Sequence, residues 1–437
     1  MTPKDTMDKV VALCLNRGFV YPSSEIYGGI AGFWDYGPLG CEMRNEVKAA
    51  WWQRMVRDRD DIVGLDTSII ANPQTWVASG HVENFHDPMV DCRQCKRRFR
   101  ADQVDADDRC SASDDGRHDL TEPKQFNLML KTRIGASDDS AIDAYLRAET
   151  CQSIFLDFRR AMQSARKKPP FGLAQIGKAF RNEITPRNFT FRSREFEQME
   201  LEFFCPADQA DDWFEHFREQ RWQWHLDMGV DPEKIRWHEH TGDELAHYCQ
   251  RAYDIEFEFP FGWQEFEGIH HRGDHDLTAH SRHSGKDQGY TDPETKERYI
   301  PYVIETSVGV DRTMLVLLCN GYTEDEVDGE TRTLLKLSPR VAPVKVAVLP
   351  LSKKLAEPAE RIAADLRRRF NTAFDLTGNI GRRYRRQDEI GTPYCVTYDF
   401  ESPDDGSVTV RDRDTTRQER ISISALPAYL SEKILGY

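Results

Sequence analysis

Two arginine-centred segments carry the most chemistry in this 437-residue chain. The first is Phe180-Arg181-Asn182-Glu183, followed by Phe191-Arg192-Ser193-Arg194-Glu195-Phe196. The second is Gly309-Val310-Asp311-Arg312, after a strand-like run at 301–306. Arginine forks onto phosphate oxygens and stacks flat on aromatic rings. Two separated arginine sites beside β-like sequence and acidic residues suit a nucleoside triphosphate gripped from both ends. No Gly-rich Walker or Rossmann loop accompanies them, so side chains rather than a backbone nest must hold the phosphates.

The elements around these segments are legible from periodicity. Met43, Val47, Ala50, Trp51 and Met55 recur at helical spacing and predict a helix over 40–57. A strand over 62–70 is expected to end at Asn72-Pro73, because proline cannot donate to a sheet ladder. Residues 141–160 read as helix, as do 208–228. Strands are expected at 171–180 and 198–204, joined by the polar hairpin 184–194, and again at 256–261, 263–269 and 299–306. A helix buried on most faces starts at Val310. Consecutive strands with few intervening helices favour an antiparallel sheet in a first domain spanning 1–341. Residues 84–122 break the pattern and read as an insertion. From 342 to 437 strands and helices alternate, which predicts a small α/β domain. The fold class is therefore α+β with an α/β C-terminal domain.

A net charge of -15 opposes broad electrostatic attachment to nucleic acid. It leaves room for a local basic surface, and Arg361, Arg367, Arg368, Arg369, Arg382, Arg383, Arg385 and Arg386 crowd the C-terminal part. No apolar run reaches the length of a membrane span and no signal-peptide layout opens the chain. The ten cysteines lie in non-repeating contexts. A reducing, cytoplasmic compartment is expected, with Cys14, Cys151, Cys249 and Cys319 as core residues.

These motifs resemble class II aminoacyl-tRNA synthetases, and among them the dimeric glycyl-tRNA synthetases. The 40–57 helix with the 62–70 strand and Pro73 resembles motif 1. Arg181 through Glu202 resembles motif 2, and Gly309 through Arg312 motif 3. Phe33-Trp34-Asp35-Tyr36-Gly37-Pro38-Leu39-Gly40, Ser79-Gly80-His81, Glu122-Pro123-Lys124-Gln125-Phe126-Asn127 and the string from Arg385 to Pro393 resemble the glycyl type. The resemblance runs essentially end to end. It implies a class II catalytic domain with an insertion and a C-terminal anticodon-binding domain. It implies a homodimer that is not membrane-bound and uses ATP, Mg²⁺, glycine and tRNA(Gly). The implied activity is ATP-dependent: glycine becomes glycyl-adenylate and is then passed to the 3′ end of the tRNA. The weighed alternative is a non-catalytic, nucleic-acid-binding paralogue such as a polymerase accessory subunit.

The resemblance also implies residue roles. Arg181, Arg312 and Glu183 are the catalytic candidates, with Arg181 on the α-phosphate and Arg312 on the far side of the nucleotide. ATP contacts extend over Arg181, Asn182, Glu183, Phe191, Arg192, Ser193, Arg194, Glu195, Phe196, Glu265, Phe266, Gly309, Val310, Asp311 and Arg312. Phe196 offers a stacking face. Glycine contacts are expected from Arg100, Glu149, Phe196, Glu197, Gln198, Met199, Glu200, Glu305, Thr306, Ser307, Val308 and Gly309. Glu149, Glu200 and Glu305 would hold the ammonium, and Arg100 would lie near the carboxylate. Glu265 and Glu305 are candidate magnesium ligands. Arg382, Arg383, Arg385 and Arg386 would meet the anticodon.

Cys92-x-x-Cys95 has zinc-knuckle spacing, but Cys110 is followed by Ser113 where a second pair would place a cysteine. Zinc through Cys92, Cys95 and Cys110 is one reading, with His118 as a fourth ligand at unusual spacing. A vestigial, metal-free knuckle is the favoured one. His270, His271, His275, His280 and His283, with Asp274 and Asp276, match no standard metal spacing and read as ordinary site-bordering residues.

Overall fold

The computed structural model describes residues 3–101, 104, 109–137, 139–246, 248–327 and 329–436. Its organising element is a seven-stranded sheet. The strands lie side by side in the order Ile235–Glu239, Arg251–Phe259, Gly262–Gly273, Tyr302–Gly309, Glu195–Cys205, Phe171–Phe180 and Ile62–Gly64. All neighbours are antiparallel except the last pair.

Strand alternation gives this sheet two chemically different faces. Met199, Leu201, Phe203, Ile304 and Val308 point to the large core. Helices Pro38–Trp52, Ala210–Asp227 and Val310–Gly321 bury their apolar stripes there, through Met43, Val47, Trp51, Phe214, Phe217 and Met314. The opposite face carries Gln198, Glu200 and Glu202 across from Gly309, Ser307 and Glu305. Towards the far strand ends that face turns apolar, where Phe171, Phe204 and Val303 pack on Phe155 and Phe158 of helix Cys151–Ser164.

The Pro38–Trp52 helix begins with proline at its first turn and continues as one wider turn, Gln53–Arg57. Gly40 lies so close to the Phe19 carbonyl that a Cβ there would collide with it. The expected 62–70 strand is only Ile62–Gly64. Beyond it the backbone leaves the ladder, and Thr67 N–H donates instead to Gln175 Oε1 at 2.8 Å. Asn72 does not close a strand but caps the short helix Pro73–Ala78, accepting from Gln74 N–H at 2.9 Å. Residues 141–160 split into strand Ile142–Tyr145 and helix Cys151–Ser164. Strands His86–Asp91, Arg98–Arg100 and Lys124–Asn127 pair into a three-stranded sheet within and just beyond the expected insertion.

After Ala342 a second core begins at Val346. Its five-stranded sheet runs Thr372–Phe374, Val346–Val348, Tyr394–Thr397, Ser407–Asp412, Gln418–Ser422, parallel across the first three strands and antiparallel thereafter. Helices Ala356–Leu366 and Leu426–Leu435 cover it. Arg382, Arg383, Arg385 and Arg386 lie on helix Ile380–Glu389. Buried Asp388 on that helix accepts from Arg411 at 2.8 Å and from Arg332 at 3.3 Å, tying the helix to the hairpin that precedes the second domain. Among the described residues no helix is long and apolar enough to cross a membrane.

The core face holds one buried charge cluster. Glu267 accepts from Arg221 and His225, and all three side chains are fully buried. Burial alone would raise the Glu267 pKa, but Arg221 and His225 outweigh it and bring it down to about 2. A carboxylate with a depressed pKa stabilises the fold above its unfolded value and loses that contribution as pH falls through the folded value. Glu267→Ala leaves a buried guanidinium uncompensated and is expected to cost ~3–5 kcal/mol in urea unfolding at pH 7. The deficit relative to the unsubstituted protein should shrink as the pH is lowered from ~4.3 towards 2. A deficit that does not change with pH would show that lost packing, not charge, sets it.

Candidate active site

The acidic face of the sheet is closed by the loop and first turn of helix Cys151–Ser164, and Glu149 enters from that loop. Glu200 is buried and saturated. Its Oε1 accepts from Ser307 Oγ at 2.7 Å and Gln198 Nε2 at 2.8 Å. Its Oε2 accepts from Thr150 N–H at 3.0 Å and from the Thr150 hydroxyl. Glu149 accepts from Gln152 Nε2 and Cys151 Sγ, both at 3.0 Å, with His81 Nε2 at 3.3 Å. Glu305 lies between His270 Nδ1 at 2.6 Å and Arg272 Nη1 at 2.9 Å. Arg272 also forks onto Asp276 at 2.8 and 2.9 Å.

Negative charge exceeds its local compensation here. Burial, with Glu305 and Glu149 nearby, pushes Glu200 up to about 7. Burial also opposes ionisation of Glu305 and Glu149, but Arg272 and His270 hold the first below the usual range and His81 holds the second well below it. Glu202, fully buried with neither oxygen hydrogen-bonded, is held well above the usual range by burial and by Glu305. Such a set can bind a small cation, and a primary ammonium matches its spread of acceptors.

An open cleft of about 930 Å³ adjoins this floor, and Gln198 and Ser307 line it alongside Arg181, Phe196, Glu265 and Arg312. Arg181 donates to the Ala148 carbonyl at 3.1 Å and stands over the Phe196 ring at 5.3 Å. Arg312 stacks on Phe191 at 4.5 Å and pairs with Glu265 at 2.7 Å. Glu183 lies 3.8 Å from Arg192. Gly268 gives the cleft a bare stretch of backbone, since a Cβ there would meet His270 at 2.6 Å. Two guanidiniums flanking an aromatic face can hold a phosphorylated, planar ligand.

The structure brings Arg181, Glu183, Phe191, Arg192, Ser193, Phe196, Glu265, Phe266, Gly309, Asp311 and Arg312 to this cleft. It does not bring Asn182, Arg194, Glu195 or Val310. Arg194 is engaged with the Glu183 and Ala31 carbonyls at 2.8 Å, and Glu195 with Lys178. Asn182 lines a separate shallow surface with Ile184, and Val310 is core. Asp311 is a buried anchor, accepting from Tyr36 and from Glu197 N–H at 2.7 Å. Among the expected glycine contacts, alternation sends Met199, Thr306 and Val308 to the core face, and turns Glu197 towards Arg44 and Lys48. Arg100 pairs with Asp87 at 3.0 Å on the three-stranded sheet. It lies close enough to contribute, after burial, to lowering the Arg192 pKa.

Glu265 and Glu305 do not share a cluster of three or more metal-type donors among the described residues. Glu305 has both oxygens committed to His270 and Arg272, whereas Glu265 faces the cleft and is half-exposed. Two of the neighbouring histidines have hydrogen-bond partners: His280 meets Gln152 at 2.9 Å and His271 accepts from Gly273 N–H at 3.3 Å. In the C-terminal domain Arg383 is buried on the Pro350 and Asp375 carbonyls, and Arg386 is bound to Asp375. Both are structural, which leaves Arg382 exposed and Arg385 half-buried on that helix. Arg272, His81, Thr150 and Gln152 belong to the site but were not anticipated as site residues. The Ser79-Gly80-His81 string was the only sequence signal for any of them.

Residues 133–320 match the family described as tRNA synthetase class II core domain (G, H, P, S and T), and residues 345–433 match the anticodon binding domain. A solved prolyl-tRNA synthetase of Giardia lamblia, in complex with prolyl-adenylate, shares the fold. Its TM-score is 0.69 at 14% identity, covering 98% of this chain and 75% of that one. The molecule is thus built as a class II tRNA synthetase. Curated relatives narrow the class. A glycine–tRNA ligase of Caldanaerobacter subterraneus subsp. tengcongensis is 52% identical over 99% of this chain and 100% of its own length. One from Geobacillus thermodenitrificans is 52% identical over 98% of each. The chain belongs to the glycine–tRNA ligase family.

A carboxyl whose folded pKa lies above its unfolded value stabilises at low pH and loses that contribution as pH rises through the folded value. Glu200 therefore makes the ligand-free protein less stable as pH rises from ~4.5 towards 7. In Glu200→Gln that decline should be largely removed, read as the difference in unfolding free energy between the two proteins across this range. Parallel pH profiles would show that Glu200 ionises normally.

Proposed function

We propose that this protein is a glycine–tRNA ligase that joins glycine to ATP as glycyl-adenylate and then transfers the glycyl group to the 3′ end of tRNA(Gly). The observation that carries this reading is the buried carboxylate floor opening into an arginine-flanked cleft, in a chain of this family. The glycine carboxylate attacks the α-phosphate, and pyrophosphate leaves. A terminal hydroxyl of the tRNA then attacks the acyl carbon, and AMP leaves. Both nucleophiles belong to the substrates, so the protein positions groups and neutralises charge.

In this reading Arg181 sits at the α-phosphate, where negative charge builds, and Phe196 offers a stacking face to adenine. Arg312 meets the far side of the nucleotide, and Glu183 with Arg192 orders the loop over it. Glu265, facing the cleft, is the residue that would hold magnesium, a cation that takes hard oxygen ligands and would supply positive charge to the departing phosphates. Glu149, Glu200 and Glu305 receive the ammonium, with Ser307 beside them. Arg100 meets the glycine carboxylate from the inserted sheet. A single methyl in an apolar pocket is worth only about 1–3 kcal/mol, so alanine must be refused by a rigid polar slot without space for a Cβ. Exposed Arg382, with Arg385, offers helix Ile380–Glu389 to the anticodon.

The family resemblance supports a cytoplasmic homodimer, and Ile26 and Tyr27, 88% and 87% exposed, offer apolar surface for a second copy. Sedimentation at micromolar concentration should give the dimer, and a fully active monomer would contradict it.

Glycine-dependent exchange of labelled pyrophosphate into ATP is the direct test. Arg312→Ala should lose about 10²–10³-fold in kcat/KM, the range for removing one donor from a preorganised charge site. The KM for glycine should rise as pH falls below about 7, because protonation of Glu200 removes a charge from the ammonium floor. Nucleic-acid binding without any exchange would favour the accessory-subunit alternative instead.

A further inference from the structure

We propose that Cys92, Cys95, Cys110 and His118 form a structural zinc site that clamps the hairpin carrying Arg100. The four ligand atoms lie within 4.8 Å of one another although they come from two separated stretches of chain. Cys92 Sγ is 3.8 Å from Cys110 Sγ, and Cys95 Sγ is 3.6 Å from His118 Nδ1. Tetrahedral zinc, with Zn–S of ~2.3 Å and Zn–N of ~2.0 Å, requires donor separations of about 3.5–3.8 Å. A disulfide requires ~2.05 Å, and Cys92, Cys95 and Cys110 are all free thiols. Three thiolates and one imidazole form a soft donor set that selects zinc over magnesium or calcium.

The backbone supports this geometry from both sides. Lys96 N–H donates to the Cys92 carbonyl at 3.0 Å and Cys92 N–H to the Arg97 carbonyl at 2.8 Å, folding the Cys-x-x-Cys loop tightly. On the second arm, Cys110 N–H donates to the Gly116 carbonyl at 3.0 Å. That turn carries the chain past Ser113 and delivers His118, whose ring packs on Phe99 at 4.6 Å. Replacing the missing cysteine by a more distant histidine explains why the sequence spacing looked incomplete.

This small sheet also needs a fastener. Cys92 and Cys110 are buried, yet neither belongs to a hydrophobic cluster among the described residues. Short sheets without a core of their own are commonly held by metal. Cys92 and Cys95 lie in the connection between strands His86–Asp91 and Arg98–Arg100. The first strand supplies Asp87, which pairs with Arg100. An ion fixing that connection fixes the register of Arg100. The clamp part of the proposal rests on Arg100 meeting the glycine carboxylate; the zinc part does not.

The full-length protein, expressed with zinc and purified without chelator, should contain about one zinc per chain by plasma mass spectrometry. Cobalt-substituted protein should show the thiolate charge-transfer and tetrahedral ligand-field bands. Cys110→Ser should lose the metal, and His118→Cys should keep it by completing a four-cysteine set. Substoichiometric zinc in the unsubstituted protein, unchanged zinc in Cys110→Ser, or a Cys92–Cys110 disulfide in non-reduced peptides would each overturn the site. Metal-free Cys110→Ser should show a severalfold higher KM for glycine with kcat largely kept and ATP binding unchanged. An unchanged glycine KM in protein that has lost its zinc would overturn the clamp while leaving the site intact.

Discussion

Burying several carboxylates against one another is the constraint on which the site depends. Glu200, Glu202 and Glu305 share one buried sheet face and Glu149 approaches them from the loop that covers it, where like charges repel strongly. Arg272 compensates Glu305 and Asp276, His270 helps with Glu305, and His81 attends Glu149. Glu200 has hydrogen bonds but no cation. In the proposed function the missing positive charge is supplied by the substrate ammonium, so that glycine binding and Glu200 ionisation are linked.

The rest of the architecture serves that floor. Two long antiparallel strands set Glu200, Ser307 and Glu305 at fixed register, which loops could not do as rigidly. The other face of the same strands is anchored by a large apolar core, so the acidic residues cannot move apart to lessen their repulsion. Gly268 and Gly177 thin the neighbouring strands, and a Cβ at Gly177 would collide with the Arg147 guanidinium. At the cleft, Arg181 and Arg312 are each held over an aromatic ring, which orients the guanidinium before any phosphate arrives. Preorganisation of this kind means that little reorganisation is left for the reaction itself.

Periodicity carried much of this. The strands read at 198–204 and 299–306 and the helical spacing from Met43 to Met55 were readable because each element has one apolar face. Elements held by hydrogen bonds were harder. The stretch after Ile62 looks like strand, yet Gln175 and Asn72 draw its backbone away through side-chain bonds that hydrophobicity does not report. Residues 141–160 hid a strand because its partner, Lys131–Ile134, is polar. Contiguous motif strings over-selected the site, since every second residue of a strand must face the core, as Met199 and Val308 do. Arg383 and Arg386 looked like free basic surface because sequence does not show which carbonyls and carboxylates will meet a helix. His118 could be named from sequence only as a ligand at unusual spacing, and Arg272 needed the fold, because its partner Glu305 is distant in the chain.

The central claim is that the carboxylate floor recognises the ammonium group rather than the small size of glycine alone. Isothermal titration of the protein with a glycyl-sulfamoyl-adenosine and with its glycolyl counterpart, in which a hydroxyl replaces the ammonium, tests it directly. Removing one partner of a buried charge pair costs ~2–5 kcal/mol, so the glycolyl compound should bind about thirtyfold more weakly or worse. Affinities within about threefold of each other, a difference below ~1 kcal/mol, would contradict the account.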